Sequence, residues 1–118
     1  MSWRVEYYEQ SNGRKPVFEF IEGLPTKDKA KVLKELELLE DYGIVMGPPR
    51  ATKITGEKYK KLWELRIKYN RNCYRIFYFL YIGRLFILLH AVIKKKNKTN
   101  ENDLEISKKR MLNYISKG

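Results

Sequence analysis

The chain of 118 residues is 43% apolar and 14% aromatic, with a formal net charge of +11. That supplies one core and is too little for two ordinary domains, so residues 1–118 are expected to form a single domain that folds without a partner. The longest apolar run, Leu85 to Leu89 and then Ala91 to Ile93, is broken by His90 and falls short of the roughly 20 residues that span a bilayer, which excludes a transmembrane helix.

The lone cysteine, Cys73, allows no internal disulfide and no cysteine metal cluster. Set in an apolar strand, it is expected to be a buried thiol. The opening Met1-Ser2-Trp3-Arg4-Val5-Glu6 has no basic patch followed by an apolar stretch, so no secretory signal is read and a cytoplasmic, membrane-free protein is expected. The charge is unevenly placed: residues 1–42 sum to −2, 43–98 to +12 and 99–118 to +1. Such a concentration suits a surface that follows phosphates; the plainer alternative is a solvated lysine-rich face.

In chain order, Trp3 to Tyr8 alternates apolar and polar residues as a half-buried strand does. Pro16 to Ile21 suits a short helix opened by proline and stopped by Gly23. A longer helix is predicted from Thr26 to Tyr42 with Ala30, Leu33, Leu36, Leu39 and Tyr42 on its apolar stripe and Gly43 as its C-cap. Its other face, Lys27, Asp28, Lys31, Lys34, Glu35 and Glu40, is expected to meet water, with no function assigned. Residues 44–55, with Gly47-Pro48-Pro49-Arg50, read as a basic loop.

Three strands follow, from Leu62, Cys73 and Arg84, separated by turns at Asn70-Arg71-Asn72 and Ile82-Gly83. The period of two puts Trp63, Leu65, Ile67 and Tyr69 on one face of the first, and Leu62, Glu64, Arg66 and Lys68 on the other. The second is apolar on both faces except at Arg75, as a central covered strand would be. In the third, His90 shares parity with Val92 and Lys94. Antiparallel pairing brings Arg66, Arg75 and His90 to Lys95 toward one region. Thr99 is a candidate cap for a last helix to about Ser116, whose stripe reads Leu104, Met111, Leu112 and Ile115.

The segments Leu62-Trp63-Glu64-Leu65-Arg66, Tyr74-Arg75-Ile76-Phe77-Tyr78 and Leu88-Leu89-His90-Ala91-Val92-Ile93-Lys94-Lys95, the last followed by Lys98-Thr99, together resemble the HigB-like, phage-derived branch of the RelE/ParE toxin superfamily. The resemblance implies an α+β fold: a twisted, mainly antiparallel sheet of about four strands with two N-terminal helices and a C-terminal helix. It also implies the toxin of a type II toxin-antitoxin pair, an endoribonuclease cutting messenger RNA on the ribosome without metal or cofactor. Its partner would be a cognate, HigA-like helix-turn-helix antitoxin in a hetero-oligomer. Carried over by position, the catalytic residues are Arg66, Lys68, Arg75, Lys94 and Lys95, and Lys53 matches an RNA-contact position. Two positions depart from the pattern: the tyrosine often found near the start of the final helix is missing from Asn100-Glu101-Asn102-Asp103, and Asn100 stands where a proline is customary.

Metal-free RNA cleavage needs attack of the 2′-hydroxyl on the adjacent phosphorus, one proton taken, another given, and a charged phosphoryl group held. Guanidinium and ammonium groups suit the last task, so Arg66 and Arg75 are expected to clamp phosphate, while Lys68, Lys94 or Lys95 could move protons. Lys60, Lys61, Lys96 and Lys98 are candidate RNA contacts. His90 could be the base, although its apolar neighbours favour a core histidine. Tyr59, Trp63 and Tyr69 could stack on bases, Trp63 being better suited to the core. Asp and Glu are expected to be almost absent from this surface, which disfavours a carboxylate-metal nuclease. Two other functions fit the same fold: a ParE-like gyrase poison, and a non-catalytic phage-derived nucleic-acid-binding protein.

Overall fold

The computed structural model describes residues 3–94 and 99–117. Its elements run β1 (Arg4–Tyr7), α1 (Pro16–Glu22), α2 (Thr26–Tyr42), β2 (Ala51–Lys53), β3 (Trp63–Tyr69), β4 (Asn72–Ile82), β5 (Leu85–Lys94) and α3 (Glu101–Lys117), with 3-10 turns at Gly43–Val45 and Glu57–Tyr59. They build a five-stranded sheet in the order β1-β5-β4-β3-β2. All pairings are antiparallel except that of β1, which joins the edge parallel to β5. The α+β class and the RelE-like arrangement follow the expectation.

The sheet has one strand more than expected. Ala51–Lys53, expected as loop because three residues carry no alternation of their own, become β2 by pairing with Leu65 to Trp63. The β3–β4 hairpin turns at Asn70-Arg71, where Asn70 takes φ 56°, a conformation asparagine tolerates better than most residues.

One face of the sheet packs on α1 and α2: Leu65, Ile67, Tyr74, Ile76, Tyr78, Phe86 and Leu88 meet Val17, Ile21, Val32, Leu36 and Leu39. The other packs on α3, where Leu62, Phe79, Ile87 and Leu89 meet Met111. Strand β4 is thus covered on both sides, as its sequence predicts. Both long helices are rotated from their expected stripes. In α2 the buried set is Asp28, Val32, Glu35, Leu36 and Leu39, while Tyr42 and Ala30 face out. In α3 the buried set is Asp103, Ser107 and Met111, and Leu112 and Ile115 are exposed. In each case carboxylates with partners share the inward face, Asp28 and Glu35 in α2 and Asp103 in α3.

Gly43 ends α2 as expected, with its N–H on the Leu39 carbonyl and φ 54°. Here the backbone also passes against Trp3, where an added Cβ would lie 2.0 Å from the indole. That indole stacks on Phe86 at 5.3 Å and carries the Arg84 guanidinium at 4.8 Å on its ring.

Candidate functional site

Cross-strand register decides which of the predicted cations meet. Arg66 lies opposite Arg75, which lies opposite Val92; one rung on, Lys68 lies opposite Cys73, which lies opposite Lys94. With strands about 4.8 Å apart, Lys68 and Lys94 are about 10 Å apart at the backbone, on the face that packs on α3. A bulge helps: Phe77 pairs with His90 but Tyr78 with Leu88, so Leu89 is the extra residue and both Leu89 and His90 reach the α3 side. Arg66, Lys68, Arg75 and Lys94 therefore form two adjoining rows.

Carboxylates are interleaved with these cations, contrary to the expectation that Asp and Glu would be almost absent. Glu64, 1% exposed, holds Arg75 Nη1 at 3.2 Å on one oxygen and Arg66 Nη2 at 3.3 Å on the other. The Thr99 hydroxyl donates to the same Glu64 Oε1 at 3.1 Å and accepts from Arg75 Nη1 at 3.5 Å. Arg75, expected as a direct phosphate clamp, is 1% exposed and held inside by Glu64. Arg66, 29% exposed at its side chain, still reaches the surface. Because Thr99 serves Glu64, the helix cap passes to Asn100, whose side-chain oxygen accepts from the Asn102 N–H at 2.7 Å.

A second carboxylate, Asp103 in the first turn of α3, joins the other end of the rows. Its Oδ2 meets Lys94 Nζ at 3.1 Å and its Oδ1 meets His90 Nε2 at 2.9 Å. Burial alone would raise the Asp103 pKa, but the hydrogen bonds from His90 and Lys94 outweigh it and hold it below the usual carboxylate range. His90 goes the other way: burial lowers its pKa against the pull of Asp103, so it is neutral at pH 7. Arg110 Nη1 stands 3.5 Å from His90 Nδ1, and since guanidinium can only donate, the imidazole proton belongs on Nε2, pointing at Asp103. With both nitrogens engaged and the ring stacked on Phe77 at 6.0 Å, His90 is the satisfied histidine that its apolar neighbours suggested.

Other candidates lie elsewhere. Lys53 pairs with Trp63, which turns it to the α1–α2 face, away from the rows. Lys60 is ion-paired with Glu57, and Lys61 is exposed five residues ahead of Arg66 at the far end of β3. Lys95, Lys96 and Lys98 lie outside the described residues. The stacking aromatics are also used differently: Trp63 and Tyr69 pack on the α1–α2 core, and the Tyr59 hydroxyl is bonded by Glu105 of α3. Cys73 is a free, half-buried thiol between Lys68 and Lys94, not the fully buried one expected.

The sequence reading missed Glu64, Thr99 and Asp103 as members of the site. It also missed Asp28 and Glu35, which bury on α2 to accept from the Tyr74 hydroxyl and to hold Lys31 and Arg50. A signal was present: 28, 32, 35, 36 and 39 keep helical spacing, and two charged members on an inward stripe call for partners.

Fold and rows together define a RelE-like α+β domain carrying cations on a sheet face beneath its last helix. The chain belongs to the phage-derived protein Gp49-like (DUF891) family, whose model matches residues 19–112. That span takes in both rows, Glu64, Thr99 and Asp103. No curated protein matches the chain. No helix among the described residues is long and apolar enough to cross a membrane.

Proposed function

We propose that the protein is the toxin of a toxin-antitoxin pair and cuts messenger RNA on the ribosome, neutralised by a cognate antitoxin. The observation that carries this reading is the register that sets Arg66, Lys68 and Lys94 on one face in adjoining rows. In the reaction, the 2′-hydroxyl oxygen bonds to phosphorus as the 5′-oxygen leaves, giving a cyclic phosphate and a 5′-hydroxyl. One proton leaves the nucleophile and one is given to the leaving oxygen. Arg66 and Lys94 hold the phosphoryl oxygens, Lys94 braced by Asp103. Lys68, exposed and among the described residues without an ion pair, is assigned the proton given to the leaving 5′-oxygen, while the proton of the 2′-hydroxyl passes to solvent. Arg75 and Glu64 position Arg66.

The test is expression in a bacterial host followed by primer extension on a cellular transcript. Codon-phased cuts are expected from the wild type, reduced on the order of 10²- to 10³-fold in Lys94→Ala or Lys68→Ala. Intact transcripts alongside gyrase-linked DNA breaks would overturn this in favour of a gyrase poison. Intact transcripts without DNA breaks would leave a nucleic-acid-binding protein.

A further inference from the structure

Strand β3 is only partly covered on its outer side, and the uncovered part opens a cleft. Strand β2 pairs with Trp63 to Leu65, and a last rung runs from the Arg66 N–H to the Arg50 carbonyl at 2.7 Å. Before Arg50 come Pro48 and Pro49, which have no N–H to extend the ladder. Between α2 and the bare edge lies a cleft of about 330 Å³ lined by Lys31, Arg50, Arg66 and Lys68 around the single carboxylate of Glu35.

Three features of this cleft suit an anionic ligand. Glu35, 3% exposed, spends one oxygen on Lys31 Nζ at 3.1 Å and the other on Arg50 Nε at 3.0 Å, which fixes both cations by their inner sides. The Arg50 side chain is 55% exposed, and among the described residues its terminal nitrogens make no hydrogen bond, leaving a forked donor pair for an anion. Arg66 and Lys68 line the cleft and also belong to the rows, so the cationic surface of the rows meets the cleft at the β3 edge. Beyond Arg50 and Pro49 lies a neighbouring hollow of about 290 Å³ whose lining includes Leu38 and Tyr42, the latter 56% exposed.

Resting on the ribonuclease reading, we infer that this cleft holds the nucleotide next to the cut: its phosphate on Arg50 and Lys31, its base against Pro49 and Tyr42. Single-stranded RNA needs this pairing of a cationic track with a stacking platform. The cleft therefore sets how much RNA beyond the scissile bond the protein grips.

The experiment is fluorescence anisotropy with a labelled 2′-O-methyl RNA hexamer, which cannot be cut, and a trimer of the same chemistry. Arg50→Ala should weaken the hexamer about tenfold and the trimer little, and should lower the salt slope by about 0.7. Tyr42→Ala, on an exposed side chain, should weaken the hexamer about fivefold or more, and Arg50→Lys should restore part of the loss. Circular dichroism checks each fold; if Arg50→Ala unfolds, Tyr42→Ala and Arg50→Lys decide. Unchanged hexamer affinity in the folded variants, or no hexamer binding by the wild type at low salt, overturns the inference. So does a polyglutamate peptide that competes as well as RNA and depends equally on Arg50, which would make the cleft a dock for an acidic protein segment. Because binding is read without cleavage, a wild type that grips the hexamer through Arg50 yet leaves transcripts whole sinks only the ribonuclease reading. Cutting by the wild type with no Arg50 effect sinks only the cleft.

Discussion

Replacing Glu64 by alanine should cost the fold more than any other single change in the rows. Its carboxylate and the Arg75 guanidinium are each 1% exposed and 3.2 Å apart, and removing one partner of such a pair costs about 3–5 kcal/mol. The loss also leaves Arg66 and Arg75, directly opposite one another across the strands, to repel with no anion between them. Arg66 is partly exposed and can turn to water, which places the cost at the lower end, about 3–4 kcal/mol. For a chain of this size that is a melting temperature lower by about 10–15 °C. Urea unfolding followed by circular dichroism measures it in wild type, Glu64→Ala, Glu64→Leu, Arg75→Met and the Glu64→Leu/Arg75→Met pair. The double variant should lie within about 1–2 kcal/mol of wild type, because matched apolar replacement of a buried pair is close to neutral. A loss below about 1 kcal/mol in Glu64→Ala, or a double variant equal to the sum of the singles, would refute the coupling.

Gly43→Ala should destabilise by at least about 3 kcal/mol, from a backbone region that costs a side chain about 1–3 kcal/mol and from the Trp3 ring 2.0 Å from the new Cβ; Trp3→Leu in the same chain should return part of the lost urea midpoint. Tyr74→Phe takes away a hydroxyl that donates to buried Asp28 and should cost about 1–3 kcal/mol in the same assay. Stability should fall on acidification in two stages. Native His90 and native Asp103 both have lowered pKa values, so the unfolded chain binds more protons, first below about pH 6.5 and then below about pH 4. His90→Gln should remove the first stage from a plot of urea midpoint against pH, and a midpoint that rises as pH falls from 7 to 5 would contradict the assignment.

How far the sequence could be read depended on whether a residue's own neighbours decided its place. The three long strands were legible because apolar runs lie between two unmistakable turns, and parity with antiparallel pairing then brought Arg66, Arg75 and Lys94 together. Strand β2 was not, since Ala51–Lys53 is extended only because β3 pairs with it. Nor was the Leu89 bulge, which lets an apolar residue and His90 face the same way in defiance of alternation. The helices misled for a different reason. Leucine spacing predicted their inward faces, but Asp28, Glu35 and Asp103 have partners on the sheet or the Arg50 loop, and a paired carboxylate buries where an unpaired one would not.

Those carboxylates bear on which cations can touch a substrate. Several guanidinium and ammonium groups on a covered sheet face repel one another strongly in a poorly screened interior, so anions must stand among them. Glu64 does this on the strand side and Asp103 on the helix side. Arg75 is the most deeply held of the four cations, and Arg66, Lys68 and Lys94 are more accessible. Thr99 and Asp103 also tie the start of α3 to the rows through Glu64 and Lys94, so a change at Arg75 would act through the helix and Arg66 as well as through charge. On the proposed reading, loss of activity in an Arg75 variant therefore reports on positioning, and loss in an Arg66, Lys68 or Lys94 variant on direct contact.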